Sequence, residues 1–223
     1  MSTSQSEAVS LSPTLVVEND PAMQERLLYI LSMLGCDEPE ITWVESGDLA
    51  MELLETRRFG VALVDVGLPE GSGVELIDWL QAHHPQVPAV AISASRTEEV
   101  IFSALRAGAV AYLLKERDDL ELSIGLRSIE QGGAPIDASI ARRVLAWHAE
   151  HASDPAAEPD AALTPRERKM LELVVQGRSH SDIAETFSAP RLEVERRTKG
   201  IYKKLALGSR ETAHAAGEYF SPR

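Results

Sequence analysis

Short apolar runs rich in β-branched residues alternate with amphipathic stretches along the N-terminal part of the chain. The runs are Leu15–Val17, Ile41–Val44, Val61–Val64, Val87–Ile92 and Ala111–Leu114. Each run is nearly continuous in apolar character, as a strand covered on both faces of a sheet must be. The helical patterns that alternate with them are Pro21–Leu34, Asp48–Arg57, Val74–Ala82, Glu98–Ala107 and Leu120–Ile129. Five β-α units in succession predict a doubly wound α/β domain with a five-stranded parallel sheet.

The C-terminal part of the chain predicts a separate all-α domain of four helices. Thr164, Pro165 and Glu167 have the spacing of a capping box at the start of its first helix. A turn at residues 188–190 leads to a third helix, whose inner face carries Val194, Thr198, Ile201 and Leu205. Two short helices joined by a tight turn are typical of a helix-turn-helix domain.

The charge of the chain is divided between these two regions. The formal net charge of the 223 residues is -13 at pH 7, but residues 1–160 carry -17 and residues 161–223 carry +4. The first region therefore does not suit a nucleic-acid or anionic-membrane binder, whereas the second is basic. The single cysteine, Cys36, excludes an intramolecular disulfide and a cysteine-ligated metal cluster. Without a signal-peptide pattern or an apolar run of about 20 residues, we expect a cytoplasmic protein with no membrane contact.

Changes in composition mark the expected domain borders. A polar, Ser-rich start predicts a disordered tail over residues 1–12, followed by the α/β domain over residues 13–132. Residues 133–162 predict one helix and a mobile linker rich in Ala, Pro and acidic residues. The helix-turn-helix domain then covers residues 163–223.

Polar side chains follow the predicted strands at the edge of the sheet where the carboxyl ends of the strands meet. Glu18 and Asn19 follow the first strand and Asp65 follows the third, while Ser93 and Lys115 end the next two. Because the first and third strands are neighbours in a doubly wound sheet, the carboxylates share one pocket. Oxygen ligands without Cys or His favour Mg²⁺. With a hydroxyl and an ammonium facing them, they predict a site for a transferred phosphoryl group, with Asp65 as the nucleophile.

Several motifs occur in order along the predicted α/β domain: Asp65, Leu68-Pro69, Gly73, Ser93-Ala94 and Tyr112-Leu113-Leu114-Lys115. Together they resemble the receiver domain of two-component response regulators. The resemblance implies that a sensor histidine kinase phosphorylates Asp65, and that Ser93 and Tyr112 then move together. Lys115 matches the lysine of the family. The metal shell implied for Mg²⁺ consists of Glu18, Asn19, Asp65 and the backbone carbonyl of Gly67.

One position departs from the pattern of that family. Receivers usually have two adjacent acids after the first strand, whereas here Asn19 follows Glu18. An amide oxygen still ligates a cation, but the loss of a full negative charge lowers the affinity for Mg²⁺ and weakens phosphotransfer. Two interpretations stay open: control by phosphorylation of Asp65, or an atypical receiver that acts without phosphorylation.

A second series of motifs lies in the basic region: Leu163-Thr164-Pro165-Arg166-Glu167, Gly177, Ile183-Ala184, Val194, Lys204-Leu205 and Ser209-Arg210. It resembles the LuxR-type helix-turn-helix, and with a receiver it indicates a response regulator of the NarL/FixJ type. The resemblance implies a transcriptional regulator, not an enzyme, that binds promoter DNA as a homodimer with its third helix in the major groove. The candidate DNA contacts are Arg191, Glu195, Arg196, Arg197, Lys199 and Lys203.

Two acids on the same helix depart from the LuxR-type pattern. Glu193 and Glu195 stand where the family more often has Thr and a basic residue. Glu195 could accept a hydrogen bond from a cytosine amino group and so change the sequence preference. Equally, the two acids could abolish DNA binding, in which case the chain would be a protein-interaction adaptor.

Overall fold

The structure, a computed structural model, describes residues 10–69, 73–130, 163–176, 178, 180–191, 193–194, 197–198, 200–201 and 204. The chain divides into two compact units, which separate between residues 137 and 138. The first unit is α/β and the second is α-helical.

Five parallel strands form the sheet of the first unit in the order β2-β1-β3-β4-β5. They are β1 (Thr14–Val17), β2 (Ile41–Val44), β3 (Val61–Asp65), β4 (Ala89–Ser93) and β5 (Ala111–Leu114). Every residue of β1, β3, β4 and β5 is buried, because helices cover both faces of the sheet. The predicted doubly wound sheet is confirmed, with the first and third strands as neighbours.

Five helices connect and follow the strands: α1 (Pro21–Met33), α2 (Gly47–Thr56), α3 (Gly73–His83), α4 (Glu98–Ala107) and α5 (Asp119–Glu130). Helix α1 packs against α5, while α3 packs against both α2 and α4. Alternate strand residues such as Val16, Leu63 and Leu113 form one core with the inner faces of α1 and α5. The sheet is thus held between two helical layers, and its carboxyl edge is left open for a site.

The predicted fourth strand begins two residues too early at Val87. The Val87 N–H donates to the carbonyl of His84 at 2.9 Å, so Val87 belongs to the turn after α3. Pro88 has no backbone N–H and therefore cannot donate a hydrogen bond to a neighbouring strand. The strand therefore runs from Ala89 to Ser93.

The predicted disordered tail ends before Leu11, whose side chain is buried in the core beneath α1 and α5. The Thr14 hydroxyl donates to the Leu11 carbonyl. At Gly60, an added Cβ would lie 2.2 Å from the carbonyl oxygen of Ser10, so only glycine lets this segment pack so closely. The prediction of disorder is wrong for residues 10–12, and residues 1–9 lie outside the described part of the chain.

The second unit begins with helices α6 (Pro165–Val175) and α7 (His180–Phe187). The predicted capping box is present, since the Thr164 hydroxyl accepts from the Glu167 N–H and a Glu167 carboxylate oxygen accepts from the Thr164 N–H. After α7, Ser188 adopts a left-handed conformation with φ 48° and turns the chain.

Helical residues follow this turn at described positions between 191 and 204. Val194, Thr198 and Ile201 are buried, which confirms three of the four residues predicted for the inner face. Leu205, the predicted fourth helix and the predicted linker lie outside the described residues.

Candidate functional site

One ammonium and two carboxylates meet at the carboxyl edge of the sheet. The Nζ atom of Lys115 lies 2.9 Å from Oδ2 of Asp65 and 2.6 Å from Oε2 of Glu18. Both acids are buried, with 1% of Glu18 and 6% of Asp65 exposed. Lys115 thus neutralises one of the two buried negative charges, which offsets part of the cost of desolvating them.

Backbone groups hold the Asp65 carboxylate from the other side. The Gly67 N–H donates to Oδ1 of Asp65 at 2.8 Å. At Gly73, an added Cβ would lie 2.0 Å from the Asp65 carbonyl oxygen, so glycine is required for the start of α3 to approach the end of β3. The position of Asp65 is therefore fixed by the turn as well as by the strand.

Burial and ion pairing act in opposite directions on Lys115. Burial disfavours the charged ammonium, but the contacts with Glu18 and Asp65 outweigh it and raise the pKa of Lys115 above its usual value of 10.5. Lys115 is therefore a permanent cation at neutral pH.

Arg26 of α1 fastens the loop that carries Lys115. Its guanidinium donates to the Asp119 carboxylate at 2.6 Å and to the backbone carbonyls of Lys115 and Arg117. The sequence offered no signal for this role, because a single arginine in an amphipathic helix pattern is typical of a solvated face. Arg26 thus joins the first helix to the loop after the last strand.

Ser93 and Tyr112 lie beside the carboxylates. The Ser93 hydroxyl accepts from the Ser95 N–H at 3.0 Å, and the Tyr112 hydroxyl donates to the Ser95 carbonyl at 2.8 Å. The Tyr112 ring is fully buried. Burial raises the pKa of Tyr112 above its usual value, although a hydrogen bond with Ser93 partly offsets this effect. Both residues therefore hold the loop that follows β4.

The donors at this edge match the chemistry of a hard cation. Of the predicted oxygen donors, the carboxylates of Glu18 and Asp65 meet at Lys115, while Asn19 is exposed and Gly67 contacts Asp65 through its N–H. Within the described residues, no three His, Cys, Asp or Glu side chains converge on a common point. The two carboxylates and Lys115 have one net negative charge, so the residues fit Mg²⁺ in donor type but with a small charge.

Only two of the predicted DNA contacts in the second unit lie within the described residues. Arg191 and Arg197 are exposed, and Arg197 forms an ion pair with Glu193 one turn earlier on the same helix. Lys204 instead lies 2.8 Å from the Glu167 carboxylate at the start of α6. The other predicted contacts lie outside the described residues: Glu195, Arg196, Lys199 and Lys203.

Known proteins resemble the chain in sequence and in fold. Residues 14–126 match the response regulator receiver domain family. The chain is 30% identical over 196 residues to the transcriptional regulatory protein MctR of Rhizobium johnstonii, with 86% of each chain covered. It is 29% identical over 203 residues to the nitrate/nitrite response regulator protein NarL of Escherichia coli K12, covering 89% of this chain and 91% of the other.

A solved structure of RcsB from Salmonella enterica serovar Typhimurium, bound to a promoter with a phosphomimetic, has a similar fold. The TM-score is 0.53 at 17% identity, over 89% of this chain and 93% of the other. A five-stranded parallel sheet with a lysine-bridged aspartate at its carboxyl edge defines a receiver unit. The chain belongs to the response regulators of the NarL/FixJ type. In the described residues, no helix is both long and apolar enough to span a bilayer.

Proposed function

We propose that phosphorylation of Asp65 controls this response regulator and that its second unit binds promoter DNA. The observation that carries the proposal is the placement of the Asp65 carboxylate, which is held by Lys115 at 2.9 Å and by the Gly67 N–H at 2.8 Å. A buried carboxylate beside a fixed ammonium is a suitable acceptor, because the ammonium stabilises the charge that develops during phosphoryl transfer.

The proposed reaction moves a phosphoryl group from a histidine of a sensor kinase to Asp65. A carboxylate oxygen of Asp65 attacks the phosphorus atom, the P–N bond breaks, and an acyl phosphate forms. Lys115 then neutralises charge on the phosphoryl oxygens, and the Ser93 hydroxyl donates to one of them. Mg²⁺, when bound by Glu18, Asn19, Asp65 and the Gly67 carbonyl, supplies further neutralisation of that charge.

In the proposed mechanism, Ser93 and Tyr112 couple phosphorylation of Asp65 to a change in the loop after β4. Both side chains bond the backbone of Ser95, so a Ser93 hydroxyl that turns toward a phosphoryl group releases the Ser95 N–H. Tyr112 lies within hydrogen-bond reach of the same loop. A rearrangement of this loop alters the surface next to α4.

In the proposed domain organisation, residues 13–132 form the receiver and residues 163–223 form the DNA-binding domain. The exposed Arg191 and Arg197 support phosphate contacts by the third helix. The solved RcsB complex with a promoter supports the same role for the corresponding unit. The proposal includes a homodimer on DNA, a location in the cytoplasm, and no catalysis on an outside substrate.

Intact-mass measurement after incubation with acetyl phosphate and Mg²⁺ tests the acceptor. The wild-type chain should gain one phosphoryl group, and the variant Asp65→Asn should gain none. An adduct that persists in Asp65→Asn, or no adduct on the wild-type chain, would overturn the proposed control.

A receiver that works without phosphorylation is the second candidate, and the charge of the site favours it. Asn19 removes one charge, and Lys115 already contacts both remaining carboxylates. This candidate predicts no adduct on the wild-type chain under conditions in which Asn19→Asp becomes phosphorylated.

An adaptor without DNA binding is the third candidate. It is favoured by the ion pair between Arg197 and Glu193, which neutralises an exposed cation on the proposed recognition helix. Retention of the full chain on duplex DNA at low salt, with a steep loss as salt rises, would exclude it. No retention at low salt would instead support the adaptor.

A further inference from the structure

Helix α1 bonds the backbone of both partners in the ion pair between Glu18 and Lys115. The Nε2 atom of Gln24 donates to the carbonyl oxygen of Glu18 at 2.6 Å. Two residues later on the same helix, Arg26 donates through Nη1 to the carbonyl oxygen of Lys115. One helix therefore holds the chain segment that precedes it and the segment that follows β5.

The guanidinium of Arg26 is fixed by three acceptors at alternate positions of the loop after β5. It bonds the carbonyls of Lys115 and Arg117, and it pairs with the Asp119 carboxylate at 2.6 Å. A planar guanidinium presents its donors as a rigid fork, so it serves several acceptors at once. A lysine would keep the charge opposite Asp119 but would not reproduce the fork. The contact with the Lys115 carbonyl is therefore specific to arginine.

The position of the Lys115 ammonium depends on how its backbone is held. The Lys115 N–H donates to the Ser93 carbonyl at 2.9 Å, and the Lys115 carbonyl accepts from Arg26. Between this backbone and the ammonium lies a flexible four-carbon side chain. The ammonium contacts Asp65 and Glu18 at the same time. Loss of the bond from Arg26 would let the backbone shift and so draw the ammonium away from one of these carboxylates.

Gln24 holds the backbone of Glu18 in a corresponding way. The Glu18 N–H donates to the Val44 carbonyl at 3.0 Å, and the Glu18 carbonyl accepts from Gln24. Oε1 of Glu18 also accepts from the N–H of Asp20, the residue that caps α1. Residues that orient a metal ligand affect metal affinity without contacting the ion themselves. Gln24 has this relation to Glu18, which is a predicted Mg²⁺ ligand.

We propose that Arg26 and Gln24 are positioning residues for the site at Asp65. This inference rests on the proposed function of Asp65 as the phosphoacceptor. Arg26 places the Lys115 ammonium, which stabilises the charge that develops during phosphoryl transfer. Gln24 places the Glu18 carboxylate, so it acts on the binding of Mg²⁺. Each residue acts through the neighbour whose carbonyl it bonds, and the two affect different steps.

The mobility of the Lys115 ammonium tests the role of Arg26 without any phosphoryl transfer. Nuclear magnetic resonance of the ¹⁵N-labelled full chain detects an ammonium that is held in ion pairs, and Lys115→Met assigns its signal. We expect an ordered ammonium in the wild type and a mobile one in Arg26→Lys. The matched control is Arg127→Lys at an exposed arginine of α5, which should leave the ammonium ordered.

Phosphorylation kinetics and Mg²⁺ affinity separate the two residues. With acetyl phosphate and saturating Mg²⁺, Arg26→Lys should lower the maximal rate of adduct formation about tenfold. Its Mg²⁺ affinity, measured by isothermal titration calorimetry, should stay unchanged. Gln24→Met should instead weaken Mg²⁺ binding about tenfold and leave the maximal rate unchanged. Gln81→Met makes the same replacement at an exposed position of α3 and should change neither quantity.

The outcomes distinguish this inference from the proposed function. No adduct on the wild-type chain overturns control by phosphorylation, while ammonium mobility and Mg²⁺ affinity still decide the positioning. An ammonium with the same mobility in Arg26→Lys and the wild type overturns the role of Arg26. Unchanged Mg²⁺ affinity in Gln24→Met overturns the role of Gln24. A merely structural role would lower the rate and the affinity together in both variants, and the melting temperature verifies that each is folded.

Discussion

Lys115 supplies the positive charge that neutralises one of the two buried carboxylates at the candidate phosphorylation site. Glu18 and Asp65 have two buried carboxylates, and the ammonium contacts both of them. Removing that ammonium would leave two carboxylates side by side without a counter-charge, which is costly in a buried site. The stability of the first unit and the proposed phosphoryl transfer therefore depend on the same residue.

Replacing Lys115 with methionine keeps the length of the side chain but removes its charge. We expect Lys115→Met to lower the free energy of unfolding by about 3 kcal/mol at neutral pH, because a buried pair loses one partner. Urea unfolding measures the change. Lys169→Met, at an exposed ion pair in α6, is the control and should change stability by less than about 1 kcal/mol. Equal effects of the two variants would contradict the prediction.

Asn19 sets the charge available to a metal ion. We expect Asn19→Asp to raise the affinity for Mg²⁺ about tenfold or more, because it adds a full negative charge directly after Glu18. Isothermal titration calorimetry measures the affinity. Asn19→Ser changes the side chain without adding charge and should bind no more tightly than the wild type. Unchanged affinity in Asn19→Asp would show that Asn19 lies outside the metal shell.

Single residues also show what the sequence could and could not predict about the site. Asp65, Glu18 and Lys115 were predictable, because Asp65 ends a buried strand and the other two directly follow buried strands at the same edge of the sheet. Arg26 was not, because its role depends on carbonyls 89 and 91 residues further along the chain. A periodic pattern gives no information about contacts at that separation.

At the scale of elements, boundaries were predictable where a local signal ends the element. Helix α4 was predicted with its observed bounds, and Gly108, which follows its last residue, caps it with a φ of 110° that suits glycine. The predicted start of β4 at Val87 was wrong. The apolar Val87 matches a strand pattern, but its N–H donates to a carbonyl within the preceding turn. Burial of Leu11 was missed for the same reason as Arg26: it depends on distant helices.

Arg26 should stabilise the loop after β5. We expect Arg26→Gln to lower the free energy of unfolding by about 2 kcal/mol, because a charged donor with three acceptors is lost. Chemical denaturation measures the loss, and Ser32→Gln on the exposed side of α1 is the control. If Arg26→Gln were as stable as the control, the three bonds would contribute nothing.

Glu167 makes the start of α6 sensitive to acid. Burial raises its pKa, but the bonds with Lys204 and Thr164 outweigh this effect, so the pKa of Glu167 lies below its usual value of 4.5. Its contribution to stability is therefore complete above 4.5 and is lost as the pH falls through the lowered pKa.

Hydrogen exchange of α6 tests this dependence. At neutral pH, Glu167→Gln should exchange faster than the wild type, because the ion pair with Lys204 is lost. The difference should disappear at a pH below the lowered pKa, where the wild-type carboxyl is also neutral. A difference that persists in strong acid would exclude titration of Glu167 as the cause.

For the whole molecule, the separation of charge between the two regions governs how DNA binding should respond to salt. Glu193 pairs with Arg197, so Glu193→Gln frees a cation for a phosphate contact. We expect the slope of log affinity against log salt to become steeper by about 0.9. Fluorescence anisotropy with duplex DNA measures the slope. Glu185→Gln, at an exposed acid of α7, removes the same charge and should leave the slope unchanged.

The tie between Arg26 and the loop after β5 has a consequence during protein synthesis. Arg26 and Asp119 are 93 residues apart, and Lys115 is 50 residues beyond Asp65. When Asp65 of a nascent chain has left the ribosome, its carboxylate still lacks a counter-charge until Lys115, which follows β5, has been synthesised. Within the first unit, the candidate site is thus completed late in synthesis, so a translation product truncated before β5 would have the Asp65 carboxylate without its counter-charge.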